Sequence, residues 1–85
     1  MRKLAVDVGQ SRVGLAISEG SLVLPLEVIP AGESAANQVL ELARARGVEA
    51  IYVGLPLSLN GSFTASTQNS VEFANRLGAE FEVRM

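Results

Sequence analysis

Hydrophobic positions in the first part of the chain follow the pattern of short extended strands. Apolar runs at residues 4–8, 13–18 and 22–29 are separated by only a few residues, and Gly9 stands near the first bend. This spacing predicts an antiparallel hairpin followed by a third strand. Pro25 interrupts the third run, and because proline cannot donate a ladder hydrogen bond, we expect that strand at a sheet edge.

The pattern changes period after residue 33. Apolar positions recur at helical spacing between Ser34, a candidate N-cap, and Gly47, which suits a C′ position. The remaining predicted elements are a strand at residues 48–53, a helix from about Ser66 to Gly78, and the start of a strand at residues 81–83. The order is therefore β-β-β-α-β-α-β. Since β-α-β crossovers make strands parallel, we predict an α/β fold with a mixed sheet, in which strands four and five run parallel to strand one.

Composition narrows the chemistry that is possible. The 85 residues suffice for one small domain, over residues 1–85, and they include no Cys and no His. Disulfide frameworks, thiol catalysis, Cys/His zinc sites and histidine acid–base chemistry are thereby excluded within this chain, and any metal must be held by oxygen. No apolar run approaches the ~20 residues of a membrane span, so a cytoplasmic protein without a membrane partner is the default. The net charge of −2 argues mildly against extended contact with phosphate backbones.

Asp7 is the residue that points most directly to chemistry. A carboxylate near the end of an apolar strand must be hydrogen-bonded, exposed or bound to a metal, because an unpaired buried carboxylate costs several kcal/mol. One interpretation is a turn aspartate that accepts a hydrogen bond from an N–H near Gly9. The other is a metal-assisted phosphoryl site, in which Gly9 and Gly14 allow close approach of a phosphate and Arg12 supplies a guanidinium.

A second candidate element follows the fourth predicted strand. Gly54-Leu55-Pro56 ends that strand, and if strands one and four are parallel neighbours, this turn lies at the same sheet edge as Asp7. The turn is either a proline-stiffened strand stop or part of a site, and Asn60 in the next loop could contact a ligand. The nucleotide-binding patterns GxxxxGK[ST] and GxGxxG are absent from the sequence.

With both turns in place, the chain resembles the YqgF (RuvX) family, Holliday junction resolvase-like nucleases that are also linked to maturation of the 5′ end of pre-16S ribosomal RNA in bacteria. The matching residues are Asp7-x-Gly9-x-x-Arg12-x-Gly14-x-Ala16-x-Ser18, then Val53-Gly54-Leu55-Pro56-Leu57, then Asn60-Gly61-Ser62. The resemblance covers essentially the whole chain. It implies a ribonuclease H-like fold and a nuclease.

The resemblance also implies roles for individual residues. Asp7 corresponds to the catalytic metal-ligand aspartate of the first strand, in a Mg²⁺- or Mn²⁺-dependent hydrolysis of phosphodiester bonds. The substrate would be a nucleic acid, either an RNA precursor or branched DNA. Nucleic-acid contacts are expected from residues in the two turns and the loop: Gly9, Arg12, Gly54, Pro56 and Asn60.

One carboxylate cannot assemble a two-metal site. Members of the family continue beyond the fifth strand to further acidic residues, so we expect this chain to be a C-terminally incomplete ribonuclease H-like domain without activity of its own. Two alternatives remain open: the nucleotide-binding part of an actin/sugar-kinase-like ATPase, and a noncatalytic scaffold of the same fold. A junction resolvase would be expected to act as a dimer, matching its two-fold substrate, whereas RNA trimming needs only a monomer.

Overall fold

Strands and helices follow one another in the predicted order. The computed structural model describes residues 1–54, 61 and 64–85. The elements in this part of the chain are β1 (Arg2–Val8), β2 (Arg12–Glu19), β3 (Leu22–Pro30), α1 (Ala35–Arg46), β4 (Ala50–Val53), α2 (Ala65–Leu77) and β5 (Glu82–Arg84). The predicted α/β class and element order are confirmed, with boundaries that differ by one to two residues at most ends.

The described strands form one mixed sheet in the order β3-β2-β1-β4-β5. β2 pairs antiparallel with both β1 and β3, whereas β4 lies parallel to β1 and to β5. The parallel pairing of the first, fourth and fifth strands is therefore confirmed. Pro25 lies on β3, an edge strand as predicted, close to a register shift between Leu15 and Ala16 of β2.

Both helices cover the same face of the sheet. Alternate strand residues point into this layer, and Leu4, Ile51 and Leu77 are completely buried there. The rest of the cluster includes Val6, Val13, Leu15 and Val53 from the strands, with Val39, Ala43 and Ala74 from the helices. The intervening strand positions point the other way, and two of them, Ala5 and Asp7, are exposed. We call this second surface the open face.

The ends of α1 match the sequence prediction only in part. Gly47 adopts the left-handed conformation, with φ of 64°, that a C′ glycine supplies at low cost. Ser34 occupies the N-cap position, but its side chain makes no capping hydrogen bond. Its hydroxyl accepts instead from the side chain of Gln38 at 3.0 Å. The predicted N-cap position of Ser34 is therefore confirmed, but its side chain does not cap the helix, because its backbone already has helical angles, φ −86° and ψ −7°.

The start of α2 is fixed by a cap that the sequence pattern did not single out. Thr64 has extended backbone angles and accepts from the N–H of Thr67 at 3.3 Å, while the Thr67 hydroxyl accepts from the N–H of Thr64 at 3.1 Å. This reciprocal capping box starts the helix at Ala65, one residue before the predicted Ser66. Gly78 ends the helix as predicted, with right-handed angles.

An ion pair on the surface joins α1 to the turn that follows α2. The Arg44 guanidinium donates to both carboxylate oxygens of Glu80, with 2.6 Å from Nη2 to Oε1. This hydrogen bonding lowers the pKa of Glu80 and raises the pKa of Arg44. Within the described ranges, no helix is long and apolar enough to cross a membrane.

Candidate active site at the end of β1

Asp7 lies inside β1, one residue before the strand ends, and not in the turn itself. Its partner across the ladder is Gly14 of β2, and its side chain is exposed on the open face. The N–H of Gly9 donates to the carbonyl of Arg12 at 2.9 Å and closes the hairpin through the backbone. Among the residues that the structure describes, no hydrogen bond or ion pair holds the Asp7 carboxylate. The turn-aspartate interpretation is therefore not what the structure shows.

Glycines stand on both sides of the Asp7 carboxylate. A Cβ on Gly14 would lie 3.9 Å from the Asp7 Cβ, an ordinary contact. On the other side, Gly54 follows β4, and its N–H donates to the carbonyl of Val6 at 3.0 Å. The parallel register that pairs Val6 with Val53 thus brings Gly54 beside Asp7, and all three of Asp7, Gly14 and Gly54 line one groove of the open face. Because the described neighbours on both flanks are glycines, the exposed carboxylate of Asp7 is accessible to a ligand in this part of the structure.

Gly9 and Arg12 lie beyond Asp7, in the hairpin turn. A Cβ on Gly9 would stand 2.7 Å from the carbonyl oxygen of Arg12, so the turn requires glycine for its own geometry. Arg12 opens β2 and is exposed, and it makes no ion pair with Asp7. The turn is tied to the far end of β3 because the N–H of Ala31 donates to the carbonyl of Ser11 at 3.1 Å. This bond fixes the turn next to the carboxylate.

The predicted site residues thus separate into three groups. Asp7 and Gly54 are brought together, as the parallel pairing of strands one and four required. Gly9 and Arg12 occupy the adjoining turn. Pro56 and Asn60 lie outside the residues that the structure describes.

Gly14 is the neighbour of Asp7 that sequence reasoning did not name among the contact residues. It was grouped with Gly9 as a glycine that allows close approach of a phosphate, and the strand register could have placed it directly beside Asp7. A turn closed between Gly9 and Arg12 pairs Val8 with Val13, and one step further along the ladder pairs Asp7 with Gly14.

The donor set suits a hard cation but is incomplete. Mg²⁺ prefers oxygen ligands and is held through one or two carboxylates, which an accessible aspartate can provide. In the described part of the chain, no group of three or more His, Cys, Asp or Glu side chains could hold a metal ion. Asp7 can therefore contribute one ligand, and further ligands must come from elsewhere.

Comparison with known proteins assigns the chain to a family. A family model described as RuvX, Holliday junction resolvase, matches residues 1–85. The chain belongs to the RuvX family.

A relative from Clavibacter sepedonicus is 42% identical over 88 residues, covering 98% of this chain and 55% of the relative. Another, from Corynebacterium jeikeium, is 42% identical over 83 residues, covering 93% and 54%. Both bear the name "Putative pre-16S rRNA nuclease". The chain spans about half the length of these relatives.

Solved structures share the fold. Thermus thermophilus RuvC, in complex with a Holliday junction substrate, superposes with a TM-score of 0.65 at 18% identity, covering 98% of this chain and 62% of that one. A Bacteroides thetaiotaomicron protein with an actin-like ATPase fold gives 0.60 at 11% identity, covering 99% and 32%. The predicted ribonuclease H-like fold is confirmed. The fold alone does not separate nucleases from ATPases, whereas the family match favours the nuclease over the ATPase alternative.

Proposed function

We propose that this RuvX chain supplies the first carboxylate of a metal-dependent nuclease site. The complete site would form in a protein of the relatives' length and would hydrolyse the phosphodiester bonds of a nucleic acid. The observation that carries the proposal is the Asp7 carboxylate, which is exposed at the end of β1, flanked by Gly14 and Gly54, and held by no hydrogen bond or ion pair in the described residues. An acid placed in this way has no structural task in the described fold. It is free to bind a ligand.

Asp7 would hold Mg²⁺ or Mn²⁺ through its carboxylate oxygens. A bound divalent ion would stabilise the negative charge that develops on the phosphate and would lower the pKa of an attacking water. The residues around Asp7 would admit and attract a phosphate group. Gly14 and Gly54 leave room for it beside the carboxylate, and the guanidinium of Arg12 in the adjoining turn would attract its negative charge. Gly9 holds that turn in place through its bond to the carbonyl of Arg12.

The proposed substrate is the 5′ region of a ribosomal RNA precursor, acted on in the cytoplasm. The names of the relatives support this choice at about 40% identity. A four-way DNA junction is the second candidate, supported by the family's description and by the junction bound to the T. thermophilus RuvC neighbour. The two candidate substrates require different oligomeric states of the enzyme. A four-way junction has two-fold symmetry and calls for a dimer, whereas RNA trimming needs only a monomer.

The 85-residue chain by itself is proposed to be inactive. It brings one carboxylate to the end of β1, and a two-metal site needs several. Its relatives are nearly twice as long, so the additional ligands would come from the part of those proteins that this chain does not span.

A cleavage assay tests the proposal. A family-length protein that carries residues 1–85 is incubated with Mg²⁺ and, separately, with a precursor RNA containing the 5′ end of 16S rRNA, with a four-way DNA junction and with ATP. We expect cleavage of the RNA that stops when the metal is chelated. Cleavage of the junction alone would move the assignment to the second candidate. ATP hydrolysis without cleavage of either nucleic acid, or cleavage that persists in chelator, would overturn the proposal.

A further inference from the structure

The hairpin turn beside Asp7 is tied to the rest of the fold by a hydrogen bond that the proposed function does not use. The N–H of Ala31, the first residue after β3, donates to the carbonyl of Ser11 at 3.1 Å. Among the described residues, no other backbone bond outside the strand ladders joins this turn to β3. Pro30, the ladder partner of Arg12, has no N–H that could replace it. Beyond the ladder, the position of the turn therefore depends on one donor.

The donor is itself held in place by the core. Ala31 is half-buried and packs against the hydrophobic cluster. The buried Ile29 precedes it in β3, and three residues further on α1 begins with Ala35 and Ala36, which are also buried. A donor between a strand and a helix that both reach the core can hold an exposed turn in one position.

Arg12 is the residue of this turn whose position matters for a charged ligand. It directly follows Ser11, and its side chain is exposed and forms no ion pair in the described residues. The residues that come after β1, β3 and β4 in the chain include one basic residue, Arg12, and one acidic residue, Glu33. These segments are residues 9–12, 31–34 and 54–64. Since Asp7 and Glu33 repel a phosphate and Arg12 attracts it, a displaced guanidinium would weaken binding.

We propose that Ala31 is a positioning residue for substrate binding: its N–H holds the Ser11 carbonyl and thereby keeps the Arg12 guanidinium where it binds a phosphate of the nucleic acid. The inference rests on the proposed function in taking a nucleic acid as the ligand. A guanidinium pairs with a phosphate through two parallel N–H···O bonds, which require a fixed direction of approach. Asp7 is held within β1 by ladder pairs of its own, so loss of the Ala31 bond should weaken binding and leave the chemical step intact.

Replacement of one backbone amide by an ester tests this role, because the ester removes the N–H and keeps the side chain. Lactic acid is built in at position 31 of a family-length protein that carries residues 1–85. Glycolic acid at position 32 is the matched control, since the N–H of Gly32 makes no hydrogen bond in the described residues. Each ester is made with Arg12 and with Arg12→Gln.

Binding and cleavage are measured on separate proteins. The dissociation constants for the precursor RNA and for the four-way DNA junction are measured with Asp7→Asn also present, so that binding is observed without cleavage. The kinetic constants are measured with Asp7 unchanged and with Mg²⁺.

For the nucleic acid that binds more tightly, the ester at position 31 should raise Kd by about threefold to tenfold, the effect of one lost hydrogen bond. The ester at position 32 should change Kd by less than about twofold. KM should rise with Kd, and kcat should stay within about twofold. In the Arg12→Gln proteins the ester at position 31 should change Kd by less than about twofold, because the group that it positions is gone.

An unchanged Kd with the ester at position 31 would overturn the inference. An equal rise in the Arg12→Gln proteins would also overturn it, since general loosening of the fold does not depend on Arg12, and so would a fall in kcat at constant Kd. The expected pattern of binding without cleavage by the unchanged protein would overturn the proposed function alone. Failure of both nucleic acids to bind would overturn the two together.

Discussion

Asp7 and Gly14 occupy paired positions of β1 and β2, and a side chain on Gly14 would begin 3.9 Å from the Asp7 Cβ. That distance is an ordinary contact, so the fold does not need glycine at position 14. What the missing side chain provides is open space next to the carboxylate. A substitution at position 14 can therefore test the space beside Asp7 without destabilising the fold.

The first prediction concerns that open space. In a family-length protein, Gly14→Val should reduce the rate of nucleic-acid cleavage by about tenfold or more, because a branched side chain beside Asp7 displaces the phosphate from its reacting position. Folding should be maintained. The rate is measured together with the thermal unfolding midpoint, and a normal rate in a fully folded variant would show that the space beside Asp7 is not used.

Gly9 is predicted to behave in the opposite way. Gly9→Ala forces a Cβ to within 2.7 Å of the Arg12 carbonyl oxygen, so the hairpin turn must distort and the free energy of unfolding should fall by about 1–3 kcal/mol. Gly14→Ala is the matched control, with a loss of no more than about 0.5 kcal/mol, since alanine is favoured over glycine in strands. Urea unfolding of the two variants measures the difference, and equal stabilities would contradict it.

Much of this sheet could be predicted because its pattern is local. Apolar runs of strand length, Pro25 at the edge and helical spacing after residue 33 each follow from nearby residues, and the crossover rule then fixes which strands are parallel. The helix caps could not be predicted as well. Ser34 and Thr64 are both good N-cap residue types, and only the backbone angles decide that Thr64 makes the capping bonds and Ser34 does not.

The candidate site was predictable to the extent that it depends on strand pairing. Placing Gly54 beside Asp7 required only that β1 and β4 be parallel neighbours. The absence of a hydrogen bond to Asp7 from the hairpin was not predictable, because an aspartate in that sequence is compatible with either a strand or a turn. The choice depends on the bond from Gly9 to the carbonyl of Arg12, which closes the turn without help from a side chain.

A buried hydroxyl in α2 gives a prediction about stability. Ser70 is completely buried, and its Oγ has no hydrogen-bond partner among the residues that the structure describes. Ser70→Ala should therefore raise the free energy of unfolding by about 1 kcal/mol, since an unpaired polar group is removed from the core. Asn75→Ala, an exposed substitution on the same helix, controls for helix propensity, which differs little between Ser and Asn. A larger gain for the Asn75 variant, or a loss of stability on replacing Ser70, would contradict this account.

The Arg44–Glu80 pair gives a prediction about pH. The hydrogen bond from Arg44 lowers the pKa of Glu80 below its ordinary value of 4.5, so the folded state holds this proton less tightly than the unfolded state does. The stability from the pair is therefore present above pH 4.5 and is lost as the pH falls through the lowered pKa. The unfolding midpoint of Glu80→Gln should lie below that of the unchanged chain at neutral pH, with a difference that disappears in acid.

A matched carboxylate elsewhere on the surface controls for the change in net charge. Glu33, in the segment between β3 and α1, is exposed and forms no ion pair in the described residues. Glu33→Gln removes one carboxylate without removing an ion pair, so it should not reproduce the lowering of the midpoint at neutral pH that Glu80→Gln causes. If the two variants show the same pH profile, the Arg44–Glu80 pair does not link α1 to the turn after α2 in solution.

The most direct measurement is the cleavage rate of a family-length protein that carries Asp7→Asn. The control is Glu49→Gln in the same protein. Glu49 lies at the opposite end of β1, where its N–H donates to the carbonyl of Arg2. Both variants replace one carboxylate by an amide of the same shape. We predict that Asp7→Asn lowers the Mg²⁺-dependent rate on the precursor RNA by on the order of 100-fold or more, through loss of a metal ligand, and that Glu49→Gln leaves it within about twofold. An unchanged rate in the folded Asp7→Asn protein would contradict the assignment of Asp7 to the catalytic site.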